Sequence, residues 1–315
     1  MMRVAAIFPG QGSQVAGMGV DAANRSQASR AIFERANEIL GYDLLALQRS
    51  GPEETLRETQ FSQPAIFATN VALYEAVGDA FEPVVSAGHS FGEFCSLTIA
   101  NALDFDEALR IVDERGKAMQ YAAEQAPGGM SAVLGMDAAK IRDVVDRIKS
   151  QTGQRVQLAN FNSPSQIVIS GDLAAVQAAG DALLEAGAKR VVPLNVSGAW
   201  HSQLMLPAVE RFAAAVNDAQ FRLPRFDVVS NVDAQPYRDT ETIKRNLVRS
   251  ITDEVRWHDC ALKLLTYNLE LVVEFGASPV LGPMFKRLPN APQVMNVADF
   301  AGIEKLRGVL SVVDV

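Results

Sequence analysis

The sequence predicts an α/β fold in which a body built on a parallel sheet is interrupted by a smaller unit of different rhythm. Three observations carry this expectation. Val4 to Phe8 and Val84 to Ala87 are short apolar runs ended by glycine-containing sequence, as buried parallel strands are, with helical spacing between them. Between about Gly128 and Val196 the pattern becomes a compact alternation of strands and helices. The 315 residues amount to about two average domains of roughly 150 residues, or one larger body with an inserted lobe.

Each element follows from its residues. Gln63 to Val77 repeats Ile66, Val71, Leu73, Tyr74 and Val77 near helical spacing, with Pro64 placed where a first helical turn tolerates it. Glu93 to Asn101 continues as a helix after Gly88, and from Phe105 an apolar stripe of Ala108, Ile111, Val112, Ala118, Met119 and Ala122 marks another. Met130 to Leu134, Val156 to Ala159, Gln166 to Ser170 and Arg190 to Val196 read as strands, with helices over Ala138 to Ile148 and Leu173 to Ala186. That β-α-β-β-α-β order is the ferredoxin-like pattern. The expected division is a discontinuous large α/β domain, 1–126 and 198–315, around a small domain, 127–197. Further on, Asp227 to Val232 and Leu271 to Phe275 are strand candidates separated by a helix around Thr240 to Ile251.

Composition narrows the function. Hydrophobic residues make up 48% and charged residues 21%, which rules out a mainly disordered chain, and a net charge of −8 speaks against a dedicated nucleic-acid binder. The two cysteines, Cys95 and Cys260, have no neighbour that would give a disulfide framework or a metal-ligand spacing, so no metal is expected. The opening apolar run is too short for a secretion signal, and no apolar stretch reaches about 18 residues. The expected setting is a reducing cytoplasm, with no membrane contact.

Chemistry concentrates in four places. Gly88-His89-Ser90-Phe91-Gly92 is a G-x-S-x-G pentapeptide between a strand and a helix, the context of a nucleophile elbow. A serine needs a base, and three histidines are available. His89 adjoins Ser90 in the elbow and is expected to pack beneath the turn, and His258 sits in a mixed stretch. His201 lies in Ser197-Gly198-Ala199-Trp200-His201-Ser202, a loop after a strand, and is the better base. Arg115 falls in the middle of an apolar helical stripe, where it either snorkels, pairs with a structural carboxylate, or waits for an anionic substrate that a guanidinium grips with two hydrogen bonds. Pro9-Gly10-Gln11-Gly12-Ser13-Gln14 fits neither the dinucleotide fingerprint nor the phosphate loop. It remains a turn whose Gln11 N–H, with that of Phe91, can complete an oxyanion hole for acyl transfer.

Taken with Gln63-Pro64-Ala65-Ile66, Arg115-Gly116-Lys117-Ala118-Met119-Gln120 and Asn160-Phe161-Asn162-Ser163-Pro164, these segments resemble, nearly end to end, the malonyl-CoA:acyl carrier protein transacylase family of fatty acid and polyketide synthesis. The resemblance implies an α/β-hydrolase-like large domain, a ferredoxin-like small one and an active site between them. It implies Ser90 as acylated nucleophile, His201 as base, Arg115 as clamp on the malonyl carboxylate, and Gln11 and Phe91 as oxyanion donors. Malonyl-CoA is then the substrate, a phosphopantetheinylated acyl carrier protein the partner, and no cofactor is bound. Asn160 is implied near the cleft. Two departures stand out. Leu247-Val248-Arg249-Ser250 has serine where the family typically has glutamine, so the histidine is steered by a backbone carbonyl, for which serine serves as well, or is less well oriented. Trp200 stands where malonyl-selective members often have phenylalanine, and its bulk predicts poor acceptance of methylmalonyl groups.

Related alternatives are a trans-acting polyketide acyltransferase and a malonyltransferase subunit of a decarboxylating complex. A serine thioesterase or hydrolase is disfavoured, because such enzymes place histidine near the chain end after an acidic residue. A silent carrier-protein scaffold has only Ser250 in its favour. Lys189-Arg190 and Lys286-Arg287 are equal candidates for a basic docking face.

Overall fold

The computed structural model describes residues 2–311; Met1 and residues 312–315, the outer ends of the expected large domain, lie outside the described residues. Among those described, the strands are β1 (Val4–Phe8), β2 (Val85–Gly88), β3 (Gly128–Leu134), β4 (Val156–Ser163), β5 (Gln166–Asp172), β6 (Arg190–Pro193), β7 (Asp227–Val229), β8 (Leu271–Phe275) and β9 (Gln293–Val297). They form two sheets. One is parallel, ordered β7-β2-β1-β8-β9, and the other is antiparallel, ordered β4-β5-β3-β6.

β1 is central to the parallel sheet and buried on both faces, which is why it reads as an unbroken apolar run. Val4, Ala6 and Phe8 enter one core with the helices Thr59–Val77 and Phe105–Gln125, while Ala5 and Ile7 enter another with Trp257, Cys260 and Leu264 of the helix Trp257–Leu265. The β1–β2 register pairs Phe8 with Gly88. Because both strands end together, the turn holding Gln11 and the turn holding Ser90 emerge side by side at the carboxyl edge, where open parallel sheets bind ligands.

The antiparallel sheet uses its two faces differently. Val133, Val156, Leu158, Ile167 and Ile169 pack beneath the helices Ala138–Thr152 and Leu173–Glu185, while Met130, Ala132, Ala159 and Val168 join the core of the larger body. Asp137 caps the first of these helices through the Lys140 amide, and Gly153 ends it in a left-handed conformation. The sheet is also stitched to the body, since the Val255 amide donates to the Ala159 carbonyl and the Phe161 amide to the Val255 carbonyl, each at 2.8 Å.

Several boundaries differ from the sequence reading. The helix expected from Gln63 begins at Thr59, with Pro64 inside it. The added turn is held by the Gln63 side chain donating to Thr59 Oγ1 at 2.7 Å and by Gly116, where a Cβ would lie 2.8 Å from the Thr59 carbonyl. β6 stops at Pro193, so Leu194, Asn195 and Val196 turn into the cleft. β7 stops at Val229, because the chain turns at Ser230 and Ala234 adopts a left-handed φ of 56°. β9 was not anticipated: Gln293 and Asn296 interrupt its apolar pattern at the sheet edge.

Candidate active site

Ser90 sits on a strained turn, with φ of 54° in the left-handed region that costs a non-glycine residue about 1 kcal/mol or more. The turn closes only because its flanks are glycine. A Cβ on Gly88 would lie 1.9 Å from the Gly92 carbonyl carbon, and one on Gly92 would lie 2.4 Å from the Phe8 oxygen. The helix Gly92–Ile99 starts immediately behind the serine, directing its positive end at the site. Neither the Gln11 nor the Phe91 amide makes a hydrogen bond to protein among the described residues.

His201 also has a left-handed φ, 56°. Its Nδ1 lies 2.7 Å from the Ser250 carbonyl oxygen, which can only accept, so Nδ1 carries the proton and Nε2 is free to accept from Ser90 Oγ, 2.9 Å away. The group that steers His201 is therefore the Ser250 main-chain carbonyl; the Ser250 hydroxyl donates instead to the Leu247 carbonyl at 2.6 Å. Burial, reinforced by the positive charge of Arg115, pushes the His201 imidazole down to about 3 and keeps it neutral.

Arg115 is 1% exposed. Its Nη1 donates to Gln63 Oε1 at 2.8 Å and its Nη2 to Ser90 Oγ at 3.2 Å, while Nε is buried without a partner. No carboxylate forms a salt bridge with it among the described residues, which removes the structural-carboxylate alternative. Burial lowers the guanidinium to about 9, partly offset by Glu93. A relay runs on from it: Gln63 donates to Thr59, and Thr59 donates to Gln11 Oε1 at 3.1 Å.

Gln11, Ser90, Arg115 and His201 line one cleft of about 410 Å³ between the two sheets. Met130 and Ala132, Asn160 and Asn162, and Gln166 and Val168 face it from β3, β4 and β5 by the two-residue alternation of strands. Trp200 lines it too, its ring folded over Gly198, where a Cβ would lie 2.6 Å from the indole. His89 is not tucked beneath the turn. It lines the cleft, with its Nε2 3.0 Å from Asn162 Oδ1 and its ring against Trp257. His258 stacks edge-on against Phe161 and does not line the cleft. No group of three or more His, Cys, Asp or Glu side chains positioned for a metal occurs among the described residues, and no helix there is long and apolar enough to cross a membrane.

Sequence reasoning missed the support under the elbow. Asn231 Oδ1 accepts from the Ser90 amide at 2.7 Å, and its Nδ2 donates to the Gly88 carbonyl at 2.6 Å. Glu93 accepts from the Asn231 amide at 3.1 Å and from the Tyr237 hydroxyl, and burial pushes its carboxyl up to about 7. Glu93 directly follows the pentapeptide, a buried acid in an apolar helix and so a readable signal. Asn231 carried none, since it lies 141 residues from Ser90.

A serine on a sharp turn at the edge of a parallel sheet, with a histidine and a buried cation within hydrogen-bond distance of its hydroxyl, is an arrangement chemically suited to an acyltransferase. The chain belongs to the acyl transferase domain family, whose model matches residues 6–305. It is 38% identical over 313 residues to the malonyl CoA-acyl carrier protein transacylase of Haemophilus influenzae, covering 98% of this chain and all of that one. It is also 38% identical over 291 residues to a polyketide biosynthesis protein of Burkholderia thailandensis, covering 90% of this chain and 24% of that protein. Among solved structures it resembles a malonyl-transacylase in complex with its holo type II polyketide acyl-carrier protein, with TM-score 0.93, 38% identity and coverage of 98% and 99% of the two chains.

Proposed function

We propose that this protein moves a malonyl group from malonyl-CoA to the phosphopantetheine thiol of an acyl carrier protein, with Ser90 holding the acyl group in between. The carrying observation is that Ser90 Oγ lies within hydrogen-bond distance of both His201 Nε2 and Arg115 Nη2 in one cleft. As Ser90 Oγ attacks the thioester carbonyl, its proton passes to His201 Nε2, and the oxyanion is received by the Gln11 and Phe91 amides. Collapse breaks the C–S bond, and His201 returns the proton to the departing CoA sulfur. The carrier thiol then reverses these steps, giving its proton to His201 and taking the malonyl group as a new thioester. Arg115 holds the malonyl carboxylate, whose arrival pairs the buried cation.

The chemistry calls for no bound cofactor, and we assign it to the cytoplasm. The larger body, 1–126 and 198–315, is read as α/β-hydrolase-like and the 127–197 unit as ferredoxin-like, a reading supported by the β4-β5-β3-β6 order. Asn160 forms part of the cleft wall. Trp200 lines the cleft, and its bulk should crowd the carbon between the two malonyl carbonyls, so methylmalonyl-CoA should be a poor donor. The Burkholderia relative, a polyketide biosynthesis protein, supports polyketide synthesis as a second setting for the same transfer.

The test is the intact mass of the protein after brief mixing with malonyl-CoA or with acetyl-CoA, followed by peptide mapping. A malonyl adduct on Ser90, absent from Ser90→Ala and weak with acetyl-CoA, is expected. An adduct elsewhere, or equal labelling by both thioesters, overturns the reading.

A further inference from the structure

We propose that Gln157, on β4, is a positioning residue for His201, through which the antiparallel sheet holds the base of a site built mainly on the other sheet. The inference rests on the Ser90–His201 pairing proposed above. Gln157 Nε2 lies 3.2 Å from the His201 carbonyl oxygen and 3.0 Å from the Thr252 carbonyl oxygen, and its Oε1 accepts from the Gln203 amide at 3.2 Å. One side chain thus ties down the main chain of His201 itself, the residue two beyond it, and the segment whose Ser250 carbonyl receives Nδ1.

Two features make this more than an ordinary surface contact. His201 is in the left-handed region, and such conformations persist only where the surroundings over-determine them. The same β4 is fixed to the 250–255 segment by the two main-chain bonds through Val255. A register shift at Leu158 to Asn160 then re-aims the strand. Gln157 before it reaches the base loop, and Asn160 after it faces the cleft. The titratable and charged groups that act on His201, Arg115 and His89, lie on other elements, so Gln157 influences the base through geometry alone.

The experiment compares wild type, Gln157→Met, Gln157→Glu and His201→Ala. Methionine keeps the length of the side chain and removes all three bonds. Glutamate keeps the acceptor for Gln203 but sets a carboxylate against two carbonyls, and being isosteric it stands in should the methionine variant fold poorly. The readouts are the rate of Ser90 modification by a serine-directed fluorophosphonate from about pH 5 to 9, kcat and KM for malonyl-CoA, and thermal stability. Both Gln157 variants should lose about tenfold or more in modification rate and in kcat, with KM nearly unchanged, and should gain an acidic limb as the loosened base moves up toward its ordinary range. Variants that only melt earlier, with wild-type rates and pH profile, overturn the proposal while leaving the Ser90–His201 reading intact. Wild type labelling no faster than His201→Ala would sink both.

Discussion

Ser90 and His201 occupy the same unusual backbone conformation, yet they are built in opposite ways. Ser90 is held by its own neighbours: Gly88 and Gly92 make room for the turn, and the helix it opens lies behind it. His201 is held by distant chain, with Nδ1 received by Ser250 and the loop fastened by Gln157. A contiguous motif can encode the first because the two glycines that let the turn close lie within five residues, even though Asn231, 141 residues away, also holds the Ser90 amide. The second depends on segments 44 and 49 residues away and exists only after folding.

The sharpest way to break this contrast is Gly88→Ala. Its Cβ would meet backbone rather than a movable side chain, so we expect destabilisation of about 4 kcal/mol or more and little folded protein, read by urea unfolding. A mild effect would mean the elbow is less tightly closed than its geometry implies. Arg115→Ala comes next. On the proposed reading it should cut the preference for malonyl over acetyl donors by about ten- to a hundredfold, or about 1–3 kcal/mol, measured as kcat/KM on both thioesters.

The pH dependence of stability separates the two supports. The unfolded chain protonates His201 below about pH 6.5 while the folded one resists down to about 3, so stability falls as pH falls, by at most about 1.4 kcal/mol per unit. Glu93 acts in the other direction. Between its ordinary value near 4.5 and about 7 the folded chain keeps a proton that the unfolded chain releases, so stability falls as pH rises. Unfolding of wild type, His201→Gln and Glu93→Gln across this range should show each variant losing one of the two slopes, and unchanged slopes would refute the assignment. Ser250→Ala is the smallest case. The carbonyl that receives His201 survives, so kcat should stay within about twofold, with about 1 kcal/mol or less lost in stability from the Leu247 bond.

Much of the fold was legible because its signals are local. β1 and β2 announce themselves as apolar runs closed by glycine, and the β-α-β-β-α-β succession reads from alternation alone. The start of the helix at Thr59 was not legible, since Pro64 points to a later beginning and the earlier turn is held by Gly116 from another helix. β9 was hidden because an edge strand may carry polar residues on its open side. In the site, Ser90, His201 and Arg115 stood out by motif, loop placement and a charge in an apolar stripe. Asn231 and Gln157 did not, because an amide in polar sequence looks like any other.

The sequence by itself determined the α/β class, the sharp turn that carries Ser90 and the placing of the Arg115 charge in an apolar stripe, since glycine spacing and apolar periodicity act over a few residues. Only the tertiary structure decided that a carbonyl rather than a side chain at 250 receives His201, that His89 faces the cleft, and that β4 reaches across to the base. Those outcomes depend on which distant backbone groups arrive within about 3 Å of one another, and hydrogen bonds of that length leave no trace in the order of the residues.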